Sequence, residues 1–188
     1  MCKKYARLEG TVEQKNVHPY LYVQKNMHVW REIMRTIVIG CDNAAVHLKN
    51  ELKKFMEQKG YTVENMGCDS EKDDIYYPYI AKKACQEIID SGYEKRGVLI
   101  CGTGLGMAMT ANKFPGIRAG VCHDIFSAER LILSNDGNVL CMGERVIGVE
   151  LAKCILERWL SLEFKDSPST PKVEAIKKIE SENRIKCG

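Results

Sequence analysis

From Thr36 onward, short apolar runs alternate with segments in which apolar residues recur every three or four positions. The run TIVIGC at 36–41 has strand length, and 45–59 follows with Val46, Leu48, Leu52, Phe55 and Met56 roughly on one helical face. Gly60 closes that helix, and 61–66 reads as a second strand. A polar loop ends at Pro78, a residue well tolerated in a first helical turn, and the helix to about Ser91 has Ile80, Ala84, Ile88 and Ile89 inward. Residues 98–101 form a third strand, 105–113 a helix, 117–122 a fourth strand, 127–133 a short helix and 139–142 a fifth strand. The segment 149–160 is a helix with Leu151, Cys154, Ile155 and Trp159 inward, and 171–185 is a charged, amphipathic last helix. Strands alternating with helices predict an α/β fold in which a five-stranded parallel sheet is covered on both faces. Ligands bind beyond the carboxyl ends of such strands. Those ends carry Asp42 and Asn43, Cys101 to Gly106, His123 and Asp124, and Gly143.

The first 33 residues carry no such period. They are expected to be a poorly ordered extension, with residues 34–188 as the single domain, and His18, His28 and Trp30 are read as incidental. A chain of 188 residues with 45% hydrophobic content suffices for one domain with a sizeable core. A net charge of +3, with Lys and Arg interleaved with Asp and Glu, offers no electrostatic footprint for nucleic acid. No window approaches the ~18 apolar residues of a membrane span, and the N-terminus lacks the apolar stretch of a secretory signal, so a cytoplasmic location is expected. The nine cysteines are scattered singly, without a CxxC motif or a Cys/His cluster. Reduced thiols in a reducing compartment fit that pattern better than zinc or disulfides.

Chemistry concentrates at 97–113, GVLICGTGLGMAMTANK, where a strand runs into Gly102, Thr103, Gly104 and Gly106 and then a helix. Glycines there let the backbone approach a bound group, and the free N–H groups of a helix start favour an anion. Cys101 stands on the lip of this turn, near the positive end of a helix dipole that favours its thiolate form. The turn by itself fits a nucleotide, a sugar phosphate or a purely structural bend equally well.

Several stretches taken together are more specific. GCDNAAVHLK, YYP, CGTGLGMAMTANKFPGIRAG, SAER, SNDGNVL and MGERVIGVELA resemble, in order and spacing over 34–180, the family of ribose-5-phosphate isomerase B and galactose-6-phosphate isomerase. The resemblance implies a Rossmann-like three-layer α/β/α sandwich and aldose–ketose interconversion of a phosphorylated sugar through an enediolate. It also implies no metal and no cofactor, and homodimers or homotetramers with active sites at the subunit interface. By the same resemblance Cys101 would be the base and Thr103 its assistant. Gly102, Gly104 and Gly106 would present N–H groups to the enediolate, and Asp42, Asn43, Tyr77, Ser134, Asn135 and Asn138 would line the substrate. Such a reaction needs one base, an oxyanion hole and a dry pocket.

The departures from the family pattern carry information. Asn43 and Ser134 stand where ribose-5-phosphate isomerases of this group usually have histidine. DSPSTPKV replaces a GGRHxxRV phosphate segment and keeps only Lys172 at a basic position, leaving Arg118, Lys172, Lys113 and the hydroxyls of Ser167, Ser169 and Thr170 as phosphate ligands. His47 and His123 read as structural. In the family those missing histidines open the sugar ring. Ribose 5-phosphate cyclises through O4, whereas the O4 of a tetrose 4-phosphate carries the phosphate, so that substrate needs no ring-opening acid. SAERLILSN is also similar to the tetrulose-phosphate isomerase branch. The substrate pair is therefore ribose/ribulose 5-phosphate or erythrose/erythrulose 4-phosphate. A different class, a non-catalytic sugar-phosphate binder or partner subunit of a hetero-oligomeric isomerase, follows from the loss of both histidines and is opposed by the intact Cys101 loop. A dinucleotide-dependent oxidoreductase would need GxGxxG after the first strand, which instead ends in GCDNAA.

Overall fold

The computed structural model of the protein describes residues 36–186. The N-terminal extension expected over 1–33, with His18, His28 and Trp30, lies outside the described residues.

Five parallel strands form one sheet in the order β2-β1-β3-β5-β4. They are β1 (Thr36–Cys41), β2 (Thr62–Asn65), β3 (Arg96–Cys101), β4 (Ala119–Val121) and β5 (Val139–Gly143). All six residues of β1 and all five of β5 are buried, which is why both read as unbroken apolar runs rather than alternating ones. A 3-10 turn, Asn43–Ala45, leads into α1 (Val46–Gln58); the other helices are α2 (Tyr77–Asp90), α3 (Leu105–Ala111), α4 (Ile125–Leu133), α5 (Val149–Leu160) and α6 (Thr170–Lys186). The chain steps outward from β1 to β2, crosses back to β3, passes on to β4 and returns to β5. With right-handed crossovers each change of direction sends the helix to the other face, so α1, α4 and α5 pack together on one side and α2 with α3 on the other. The result is the Rossmann-like three-layer α/β/α arrangement. The reversal between β1 and β3 opens a crevice at their carboxyl ends, flanked by Asp42 and Cys101.

Element boundaries shift by a few residues from expectation. β4 shrinks to three residues, with Ile117 buried ahead of it and Cys122 after it. α4 starts at Ile125 because the Asp124 carboxylate accepts from the Ser127 N–H at 2.7 Å and from its hydroxyl at 2.6 Å, a side-chain cap two residues earlier than the apolar pattern suggests. The inward stripe of α5 is Ala152, Ile155, Leu156 and Trp159, while Leu151 and Cys154 face solvent. On α1 and α2, Phe55 and Ile89 are only half-buried.

Candidate active site

β3 delivers Cys101, 6% exposed, to the start of the glycine turn. Its Sγ accepts a hydrogen bond from the Gly104 N–H at 3.1 Å, a donor aimed at the atom that carries charge in a thiolate. Gly104 is left-handed at φ +79°, and a Cβ there would stand 3.0 Å from the Met142 carbonyl carbon and oxygen. Thr103 is exposed and accepts from the Leu105 N–H at 3.4 Å. Gly106 makes room for Tyr77, the first residue of α2: an ideal Cβ on Gly106 would lie 2.6 Å from the tyrosine ring.

At the end of β1, one Asp42 carboxylate oxygen accepts from the Ala44 N–H at 3.2 Å and caps the turn before α1. Burial pushes this carboxyl above its ordinary range, with the Ala44 N–H and the Arg145 guanidinium pulling the other way. Asn43 is exposed beside it.

Arg145 is a residue that reading the sequence missed. It follows β5, and its guanidinium lies over Gly102, 3.4–3.5 Å from the position of an added Cβ. Its backbone N–H donates to Gly102 O at 3.1 Å and that of Glu144 donates to Cys101 O at 3.0 Å, so the tail of β5 clamps the thiol loop from below. The Glu144 carboxylate accepts from the Leu48 N–H at 3.2 Å and occupies the first turn of α1. His123 accepts from the Gly143 N–H through Nε2 at 3.0 Å. The signal for Arg145 was its place one residue past Glu144 at the carboxyl end of a parallel strand, where binding residues gather.

The remaining expected residues lie elsewhere. Asn138 precedes β5: its carbonyl accepts from Gly97, four residues or ~13 Å of strand below Cys101. Its side chain joins Gly116 O at 2.8 Å to the Arg118 N–H at 2.8 Å. Arg118 is paired with Asp136 at 2.7 Å. Ser134 ends α4, and Asn135 donates to Arg130 O at 2.9 Å. Arg118, Lys113 and Asn135 border a cavity of about 910 Å³ under α6, away from the thiol. Lys172 is exposed in the first turn of α6. Two of the hydroxyls before it are engaged within the turn: that of Thr170 donates to Asp166 at 2.7 Å and accepts from the Ser167 N–H, and that of Ser167 accepts from the Ser169 N–H. One chain therefore unites Cys101, Thr103, the loop glycines, Asp42, Asn43, Tyr77 and Arg145, and keeps Arg118, Ser134, Asn135 and Asn138 at the other end of the sheet. Among the described residues no cluster of His, Cys, Asp and Glu could hold a metal ion, and no helix is long and apolar enough to cross a membrane.

Residues 37–176 match the family described as Ribose/Galactose Isomerase. The chain belongs to the ribose/galactose isomerase family. It is similar to a D-erythrulose-4-phosphate isomerase of Pectobacterium atrosepticum, 47% identical over 143 residues that cover 76% of this chain and 93% of that protein. It is also similar to the ribose-5-phosphate isomerase B of Escherichia coli, 40% identical over 148 residues, 78% of this chain and 97% of that one. A solved ribose-5-phosphate isomerase B of Clostridium thermocellum aligns with a TM-score of 0.75 at 37% identity, over 79% of this chain and 99% of its own. In this ribose/galactose isomerase the crevice brings together a sulfur with an N–H donor, backbone amides of a glycine turn, a carboxyl and a guanidinium. That set can move a proton between adjacent carbons and hold an anionic oxygen while doing so.

Proposed function

We propose that the protein interconverts the aldose and ketose forms of an open-chain sugar phosphate, with D-erythrulose 4-phosphate and erythrose 4-phosphate as the favoured pair. The observation that carries the reading is the hydrogen bond from the Gly104 N–H to Cys101 Sγ in a complete glycine turn. The Cys101 thiolate takes the proton from the hydroxyl-bearing carbon beside the carbonyl, and the electron pair moves onto the carbonyl oxygen as an enediolate held by loop amides. The hydroxyl proton passes to that former carbonyl oxygen, and the thiol returns its proton to the former carbonyl carbon, leaving the carbonyl on the neighbouring one. No atom is gained or lost. Thr103 assists at the mouth, Asp42 and Tyr77 hold hydroxyls, and Arg145 faces the phosphate.

Support for a four-carbon substrate comes from Asn43, which leaves the end of β1 without a ring-opening histidine, from Ser134, which leaves none to be offered by a second copy, and from two relatives at 47% and 46% identity that are D-erythrulose-4-phosphate isomerases. In this reading residues 34–188 form the isomerase domain. Arg118, Ser134, Asn135 and Asn138 act across an interface between two copies, as a homodimer or homotetramer, because their own thiol lies at the opposite end of the sheet, and Lys172, exposed at the start of α6, is a further phosphate ligand. Exposed apolar side chains near the mouth, Tyr76, Tyr79, Leu105 and Met109, give such an interface material. A reducing cytoplasm suits the seven unpaired cysteines among the described residues. Measuring kcat/KM on four-, five- and six-carbon sugar phosphates tests the assignment: the four-carbon pair should be preferred, and a clear preference for the pentose pair overturns the tetrose reading.

A further inference from the structure

Lys49, on α1, is 1% exposed, the deepest charged side chain among the described residues. Burying an ammonium is costly unless its donors are satisfied. Here Nζ donates to Cys68 O at 2.9 Å and to Asp69 Oδ1 at 2.9 Å. Both acceptors belong to the turn after β2, which leads into the long segment ending at Tyr77. Asp69 is 81% exposed, so its carboxylate would keep its water without the lysine; what lies buried is the other end of the contact, the Cys68 carbonyl.

That turn is seated directly behind Asp42. The Cys68 N–H donates to Cys41 O at 2.8 Å, and a Cβ on Gly67 would come within 2.2 Å of the Cys41 nitrogen, so backbone rests on backbone there. Asn65 ties the turn closed, donating to Asp69 Oδ1 at 2.7 Å and accepting from the Gly67 N–H at 3.0 Å. The same carboxylate that Lys49 grips is thus also the far end of the turn's own clasp. Lys49 adds a side-chain tie from the body of α1 to the turn that already rests on the end of β1 carrying Asp42 and that leads on to the segment carrying Tyr77.

We infer that Lys49 is a positioning residue for substrate binding, which holds the Asn65–Asp69 turn against the end of β1 and thereby sets Asp42 and Tyr77 relative to the thiol loop. The inference rests on the proposed roles of Asp42 and Tyr77. Because Lys49 touches neither the thiol nor the reacting carbons, its loss acts on binding more than on the proton transfer. A side chain of similar length without charge would pack in the same space and strand only one buried carbonyl, toward which Cys41 Sγ already points at 3.6 Å. Stability and binding therefore separate.

The experiment is Lys49→Met in the full chain, compared with Asp42→Asn and Tyr77→Phe. Lys49→Met should raise KM by about tenfold or more, leave kcat within about threefold and keep cooperative unfolding. Amides of Gly67 to Ser70 should exchange with solvent faster. An unchanged KM in Lys49→Met, while Asp42→Asn and Tyr77→Phe raise it, overturns the inference; so does a fall in kcat at constant KM. If Asp42→Asn and Tyr77→Phe themselves leave KM unchanged, the reading of the site falls first. Faster exchange in Lys49→Met would then show that Lys49 holds the turn, but its effect on binding through Asp42 and Tyr77 would be overturned.

Discussion

The sulfur of Cys101 and the backbone nitrogen of Gly104 lie 3.1 Å apart, in a turn whose shape depends on glycine. With φ at +79° and the Met142 carbonyl 3.0 Å from any added Cβ, position 104 rejects a side chain on both conformational and steric grounds. Gly104→Ala should cost about 1–3 kcal/mol of stability and lower kcat, because the N–H that faces the sulfur moves with the backbone. Denaturant unfolding alongside steady-state kinetics checks both; full activity in the variant would show that this contact is dispensable.

Arg145 should act on affinity. Its guanidinium lies over Gly102 at the mouth of the crevice and offers a two-pronged donor, whereas a lysine offers a single point charge. Arg145→Lys should raise KM for a sugar phosphate by about tenfold with a smaller change in kcat, the pattern of binding lost equally from ground and transition states. Steady-state kinetics at several ionic strengths measures it, and an unchanged KM would remove Arg145 from phosphate binding.

The fold was legible in the chain because β1 and β5 are buried on both faces and so are written as pure apolar runs. The helix pattern was less reliable where a single position rotates the face, as on α5, where the Ala152, Ile155, Leu156 and Trp159 stripe leaves Leu151 and Cys154 outside. The thiol loop was visible as a glycine turn after a strand, but only its company with the other motifs told it from a structural bend; two of its glycines serve packing and backbone shape, Gly104 at φ +79° and Gly106 beneath the Tyr77 ring. Arg145, Glu144 and Lys49 were not, because a charged residue in a helix or after a strand looks like ordinary surface until the crossovers bring distant segments together. Asn138 and Arg118 show the converse: they match a motif, yet within one chain they brace the lower end of β4 and β5.

The buried thiols make stability fall in alkali. Burial pushes Cys41 and Cys85 up to about 12 and Cys122 up to about 11, against 9.0 for an ordinary thiol. The unfolded chain thus releases these protons first. Their contribution is fully present below about pH 9 and is lost as pH rises through 11 to 12. Tm should be flat from pH 8 to 9 and decline above it, and Cys85→Ala should make the decline shallower, since burial alone raises that thiol. An identical decline in the variant would mean that other groups cause it.

The central claim is that Cys101 moves the proton. The direct measurement is the rate at which purified wild-type protein and Cys101→Ala interconvert D-erythrulose 4-phosphate and erythrose 4-phosphate at saturating substrate. Loss of the base should lower kcat by about 10²–10⁴-fold or more while the substrate still binds. A Cys101→Ala protein that turns over within tenfold of wild type would contradict the account.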